Sequence, residues 1–139
     1  MSYLLDTNVV SEVTRPRPNA NVLNWVALQS PETLFISAIT IGELRRGALL
    51  LAAGKKRKAL RYWIETGIKG DFVGRILPVD TAVMECWAQL QATSEKAGTR
   101  VPLMDSLLAA TALTHGVTLV TRNTGDFKAV NVPLLDPWI

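Results

Sequence analysis

Tyr3-Leu4-Leu5-Asp6-Thr7-Asn8-Val9-Val10-Ser11-Glu12 decides the fold. Tyr3 to Leu5 reads as a short buried strand ending at Asp6, with a short helix behind it that stops before Arg15-Pro16-Arg17-Pro18, because proline disfavours helix at the residue before it. Working outward, Thr33 to Ser37, Arg75 to Val79 and Thr118 to Thr121 repeat the short apolar strand pattern. Pro133 to Leu135 is a fifth strand candidate, placed at an edge by its proline. Helical patterns fill the gaps. Asn19 or Asn21 caps a helix through Trp25 and Leu28. A second runs from Ala38 to Ala53, with Ile41, Leu44, Ala48 and Leu51 as its buried stripe and Gly54 as its C′ residue. A basic amphipathic helix follows from Lys55 to Thr66, and Gly67, Gly70 and Gly74 mark a flexible connection. Asp80 or Thr81 caps a helix to Lys96, and the last helix runs from Pro102 to His115. Strands alternating with helices predict an α/β fold with a central parallel β-sheet of four to five short strands flanked by helices. Their unbroken apolar character suits strands covered on both faces.

Composition agrees with one domain spanning residues 1–139. Apolar residues make up 48% and charged residues 19% of the chain, which excludes intrinsic disorder. The longest uncharged run, Ser106 to Thr121, has sixteen residues interrupted by His115 and Gly116, too short for a membrane span. Met1 to Asp6 lacks the basic start of a signal peptide. Cys86 is the only cysteine and His115 the only histidine, so disulfides and Cys/His zinc frameworks are excluded. The expectation is a small cytoplasmic domain with no membrane association. Net charge is +3, yet nine of the fifteen bases fall between Arg45 and Arg75, among them Arg45, Arg46, Lys55, Lys56, Arg57 and Lys58. Such a segment can attract a polyanion, although a solvated helix face and turn is the better explanation of the run taken alone.

In open α/β sheets the ligand site lies beyond the carboxyl ends of the strands. Asp6 directly follows the first strand, and Asp126 follows the fourth within Thr121-Arg122-Asn123-Thr124-Gly125-Asp126. Glu43 stands early in the helix after the second strand. Asp105 opens the last helix among Leu103, Met104, Leu107 and Leu108. Each has a bland reading alone: Asp6 as a helix cap, Asp105 as a partner of its helix dipole, Glu43 as a surface pair with Arg46, and Asp126 as a turn residue. Together they repel. Two carboxylates ~4 Å apart cost about 4 kcal/mol at an effective dielectric of 20. Protonation, basic partners or a bound cation relieve that cost, and an all-oxygen site favours Mg²⁺ or Mn²⁺ and hence phosphoryl or phosphodiester chemistry. Other chemistries lack their parts. Gly42 to Gly47 has the spacing of a phosphate-binding loop, but Ala48-Leu49 stands where Lys-Ser/Thr is required, and no nucleophile elbow or His-Glu-x-x-His occurs.

Four blocks in this order resemble PIN-domain proteins, in particular the VapC/FitB group, the toxin half of type II toxin–antitoxin pairs. They are Leu4 to Glu12, Ser37 to Leu44, Asp105 to Ala112 and Leu119 to Phe127, which together span nearly the whole chain. The resemblance implies the same parallel sheet and a Mg²⁺-dependent endoribonuclease, with Mn²⁺ substituting. It implies Asp6, Asp105, Glu43 and Asp126 as catalytic metal ligands, and Asn8, Thr121 and Asn123 as their supports or substrate contacts. Position 123 is Asn where some relatives carry an acid, which leaves one or two metals open. The basic residues from Arg45 to Lys58 would grip the RNA backbone. Outside the four site acids the chain carries fifteen bases against eight acids, a net of +7, which suits that division. The resemblance further implies a homodimer and a cognate antitoxin through which alone DNA is met. Two rival readings stand beside it: a phosphatase using Asp-x-Asp after the first strand, and a weakly catalytic partner that strengthens DNA binding by its antitoxin.

Overall fold

A computed structural model describes residues 1–139. The chain runs β1 (Tyr3–Leu5), α1 (Thr7–Glu12), α2 (Ala20–Leu28), β2 (Leu34–Ser37), α3 (Ala38–Leu50), α4 (Lys55–Tyr62), a π-helical segment (Trp63–Ile68), α5 (Lys69–Asp71), β3 (Ile76–Leu77), α6 (Thr81–Lys96), α7 (Leu103–His115), β4 (Thr118–Val120) and β5 (Leu134–Leu135). The strands form one five-stranded sheet in the order β3-β2-β1-β4-β5, and every pairing is parallel. β5 lies at the edge its proline called for.

Alternation along the strands splits the core into two clusters, one on each sheet face. Leu5, Ile36 and Val120 point to one face, where Val9 and Val10 of α1, Val22 of α2, Leu44 and Ala48 of α3, and Ile64 and Ile68 of the π segment cover them. Leu4 and Leu119 point to the other, against Leu108, Ala109 and Ala112 of α7 and against Phe127. The strands are therefore buried on both sides, which explains their unbroken apolar runs. The chain builds β1, β2 and β3 outward in one direction, then returns to place β4 on the other side of β1. The strand order reverses between β1 and β4, and the crevice of an open sheet opens there.

The caps fall on the expected residues. Asn19 accepts from the N–H groups of Asn21 and Val22, and Asp80 accepts from Val83. Gly116 closes α7 in the left-handed conformation, with φ 63°. The second half of the basic helix differs from the sequence reading. Gly67 and Gly70 do not form a flexible connection. The helix widens into a π turn and continues to Asp71, because Ile64 and Ile68 anchor it in the core. Gly54 does not end α3 either: α3 ends at Leu50 with Leu51 as its C-cap, and Gly54, with φ 156°, is the N-cap of α4. Leu51 is 37% exposed and so lies outside the buried stripe. No helix is long and apolar enough to cross a membrane.

Candidate active site

Asp6 occupies the crevice between β1 and β4. Its backbone N–H donates to Val120 O (2.9 Å), so the ladder continues one residue past the strand. Its side chain caps α1: Oδ1 accepts from the Thr7 N–H at 2.7 Å. Oδ2 accepts from the Thr121 hydroxyl at 2.7 Å. The cap reading is thus realised, and the cap fixes the carboxylate at the sheet's carboxyl edge. Asp6 is 8% exposed, and Thr121 is fully buried beside it.

Thr121 Oγ1 also accepts from the Asn123 N–H (3.1 Å) and the Asn8 amide (3.3 Å). Asn8 Nδ2 lies 3.5 Å from Asp6 Oδ2 as well, while Asn8 Oδ1 is buried with no partner. Of the three residues expected beside Asp6, Asn8 and Thr121 reach it by side chain, while Asn123 donates to Thr121 through its backbone N–H. The sequence reading missed Thr7 and Thr40. The Thr7 hydroxyl donates to Glu43 Oε1 (2.7 Å) and lies 3.1 Å from the buried Thr40 hydroxyl. It ties the start of α1 to α3 and holds Glu43 toward Asp6. Thr7 and Thr40 each stand inside a quoted block, and two hydroxyls flanking site acids were the available signal.

Asp105 is the third residue of α7, and Asp126 sits in the 3₁₀ turn Thr124–Phe127. Burial pushes the Asp105 carboxyl up to about 6, and the charges of Asp6, Asp126 and Glu43 add to that push. Burial also raises Asp6 against the opposing pull of its hydrogen bonds from Thr121 and Thr7, with Glu43 and Asp126 raising it further. The four expected acids are thus close enough to feel one another. None forms an ion pair: the salt bridges join Arg15 to Glu12, and Arg45 and Lys69 to Glu65. No three acids are drawn close enough to make a ready-made metal cage. The donor set still fits a hard divalent cation, because it is all oxygen, mutually repelling and free of basic partners.

The basic residues divide. Arg46 stands three residues beyond Glu43 on α3, on the same side of the helix. Arg45 is held at 2.7 Å by Glu65. Lys55, Lys56, Arg57 and Lys58 open α4 beyond the far end of α3, whose thirteen residues span about 20 Å. They therefore stand past the opposite end of α3 from Ser37, where β2 ends.

The PIN domain family model matches residues 3–133. Toxin FitB of Neisseria gonorrhoeae is 43% identical over 135 residues, with 97% of each chain covered. VapC ribonuclease Y4jK of Sinorhizobium fredii is 38% identical over 135 residues, covering 97% of this chain and 96% of that one. Among solved structures, FitAB bound to an IR36 DNA fragment superposes with a TM-score of 0.92 at 42% identity, covering 99% of this chain and 96% of the other. With the fold, the family match and these relatives in agreement, the chain belongs to the PIN domain family and, within it, to the group of the VapC and FitB toxins.

Proposed function

We propose that this chain is a divalent-metal-dependent endoribonuclease and the toxin member of a toxin–antitoxin pair, acting in the cytoplasm, with residues 1–139 working as one domain. One observation carries the reading. A buried, tightly fixed Asp6 faces three further carboxylates at the reversal point of a parallel sheet, and no basic side chain neutralises them. Asp6 and Asp105 would hold Mg²⁺ or Mn²⁺, with Glu43 and Asp126 completing the donor set. Such a cation, when bound, supplies Lewis acidity toward a phosphate oxygen and makes water a better nucleophile near neutral pH. Thr121 and the Thr7 N–H aim the Asp6 carboxylate into the crevice. Thr7 keeps Glu43 turned toward it. Burial and the neighbouring acids raise the Asp105 carboxyl, and a bound cation would relieve that cost by favouring its ionised form. Arg46 and the Lys55 to Lys58 cluster attract the RNA backbone, which the acidic pocket itself repels.

The similarity to Y4jK supports ribonuclease chemistry, and the similarity to FitB supports the toxin role. The FitAB–DNA structure supports a cognate antitoxin as partner, with DNA reached through it; a homodimer of this chain is proposed as the working unit. A phosphatase of the Asp-x-Asp kind lacks its second acid. Asn8 stands there, with its amide committed to Thr121.

The test is cleavage of mixed tRNA and rRNA by the purified, partner-free protein in Mg²⁺, Mn²⁺ or EDTA, beside Asp6→Asn. Metal-dependent cuts absent from the variant are expected. An Asp6→Asn protein that folds and cuts as well as the parent would refute the site. A folded parent that binds metal yet cuts no RNA would favour the weakly catalytic, antitoxin-supporting role.

A further inference from the structure

Arg122 follows Thr121 in the loop after β4, and is therefore one residue from the hydroxyl that holds Asp6. It is exposed, and none of the salt bridges includes it. Its guanidinium instead lies over the Trp138 ring, 5.4 Å from the centroid. That ring is fixed from both sides of its backbone. The Trp138 N–H donates to Asp136 Oδ1 (2.8 Å), and its carbonyl accepts from the Asn21 amide (2.8 Å). Stacking engages the face of a guanidinium and leaves its N–H edge available, which is the edge that recognises phosphate oxygens. A cation held flat one residue beyond the hydroxyl that fixes Asp6, and spent on no carboxylate, is free to receive an anion that approaches that edge of the sheet.

We infer that Arg122 binds the RNA phosphate next to the scissile one, and that Trp138 is the positioning residue that holds it there. The inference rests on the ribonuclease reading of the site. It assigns the end of the chain a part in substrate binding: Trp138 sets where the Arg122 charge stands, and Asn21 and Asp136 set where Trp138 stands. Arg122 thereby offsets, at the point of entry, the repulsion between the acids and the RNA backbone.

Two measurements test it. In an Asp6→Asn background, where the RNA survives, binding of a 5′-fluorescein-labelled mixed-sequence oligoribonucleotide is followed by anisotropy across a NaCl series. Adding Arg122→Ala is expected to lower the slope of log affinity against log salt by about 1, and Arg122→Lys to restore most of it. In the otherwise native protein, Arg122→Ala is expected to raise KM for RNA about three- to tenfold with a smaller change in kcat. Trp138→Ala should reproduce that KM effect, Trp138→Phe should largely spare it, and Trp138→Ala combined with Arg122→Ala should add little to either. Unchanged salt slope and KM in Arg122→Ala, beside an active parent, would overturn the inference. So would a Trp138→Ala effect that simply adds to that of Arg122→Ala. A parent that cuts no RNA, together with an Arg122-dependent salt slope, would sink the ribonuclease reading and leave the RNA contact standing.

Discussion

Thr121 uses its one hydroxyl in three ways: it donates to Asp6 and accepts from Asn8 and from the Asn123 N–H. Valine has nearly the same shape but none of these bonds. Thr121→Val should therefore cost about 1.5–3 kcal/mol, the range for a hydrogen bond to a charged group, in a urea melt. It should also lower RNA cleavage, while Thr121→Ser keeps most of both. Asp105 makes a separate prediction through pH. Its folded carboxyl lies near 6 against an ordinary 3.8, so folding favours its protonated form. That stabilisation is complete below the unfolded value and is lost as pH rises through about 6. In EDTA, lowering the pH from 7.5 to 5 should raise the Tm, and Asp105→Asn should flatten much of the rise in a thermal-shift assay. The raised Asp6 acts in the same direction. Glu65, lowered from 4.5 by Lys69 and Arg45, acts the other way, and its contribution disappears only as pH falls below that value. A Tm that falls between pH 7.5 and 5 in the parent would contradict the Asp105 assignment.

Helix caps and apolar spacing made most of the elements legible, because both are local: Asn19, Asp80 and Gly116 sit where their side chains or backbone geometry place them. The helix through Gly67 and Gly70 was not, since two glycines within four residues signal a break and only tertiary packing overrules them. Ile64 and Ile68 continue the i,i+4 stripe of Leu60 into the core through the π turn, so the signal was present and was outweighed by the glycines. The same element yields a pair of opposed substitutions. A Cβ at Gly70 meets nothing within 4 Å, whereas one at Gly67 meets Trp63 Cδ1 at 3.0 Å. Gly70→Ala should stabilise by about 0.5 kcal/mol, through helix propensity alone. Gly67→Ala should lose that gain and more, because Trp63 packs on the core and must move aside. Urea melts of the two variants decide it, and equal gains in both would mean that Trp63 yields freely. At the other end of the element, Arg75 donates to the carbonyls of Pro31, Leu34 and Asp71 and stacks on Phe72. It fastens α5 to the start of β2, a set of contacts between segments far apart in sequence that no local pattern announces.

Across the whole molecule, the acids of the candidate site were legible one by one, because each sits at the junction of a strand with the helix or turn that follows, or at the start of a helix. Their mutual approach was an inference from topology. The sheet order sets β1 beside β4, whose ends carry Asp6 and Thr121 across the reversal point. What no local reading supplied is the hydroxyl link from Thr7 to Glu43, which depends on α1 and α3 packing side by side. This arrangement concentrates negative charge at one edge of a chain whose overall charge is +3. It therefore links stability to cations in a way that separates a metal site from a merely acidic surface. A cation that binds only the folded state at ten times its Kd adds about 1.4 kcal/mol. For a chain of this length that corresponds to a Tm rise of roughly 3–8 °C. Mn²⁺ or Mg²⁺ should produce such a rise at neutral pH, with Na⁺ at matched ionic strength as the control for screening. The rise should be lost in Asp6→Asn and Asp105→Asn, although removing a repelling charge raises the starting Tm of both. It should persist in Lys55→Ala, at the start of α4. Equal divalent shifts in all four proteins would place the cation elsewhere. A shift confined to proteins that retain Asp6 and Asp105 would tie binding, folding and the proposed chemistry to one edge of the sheet.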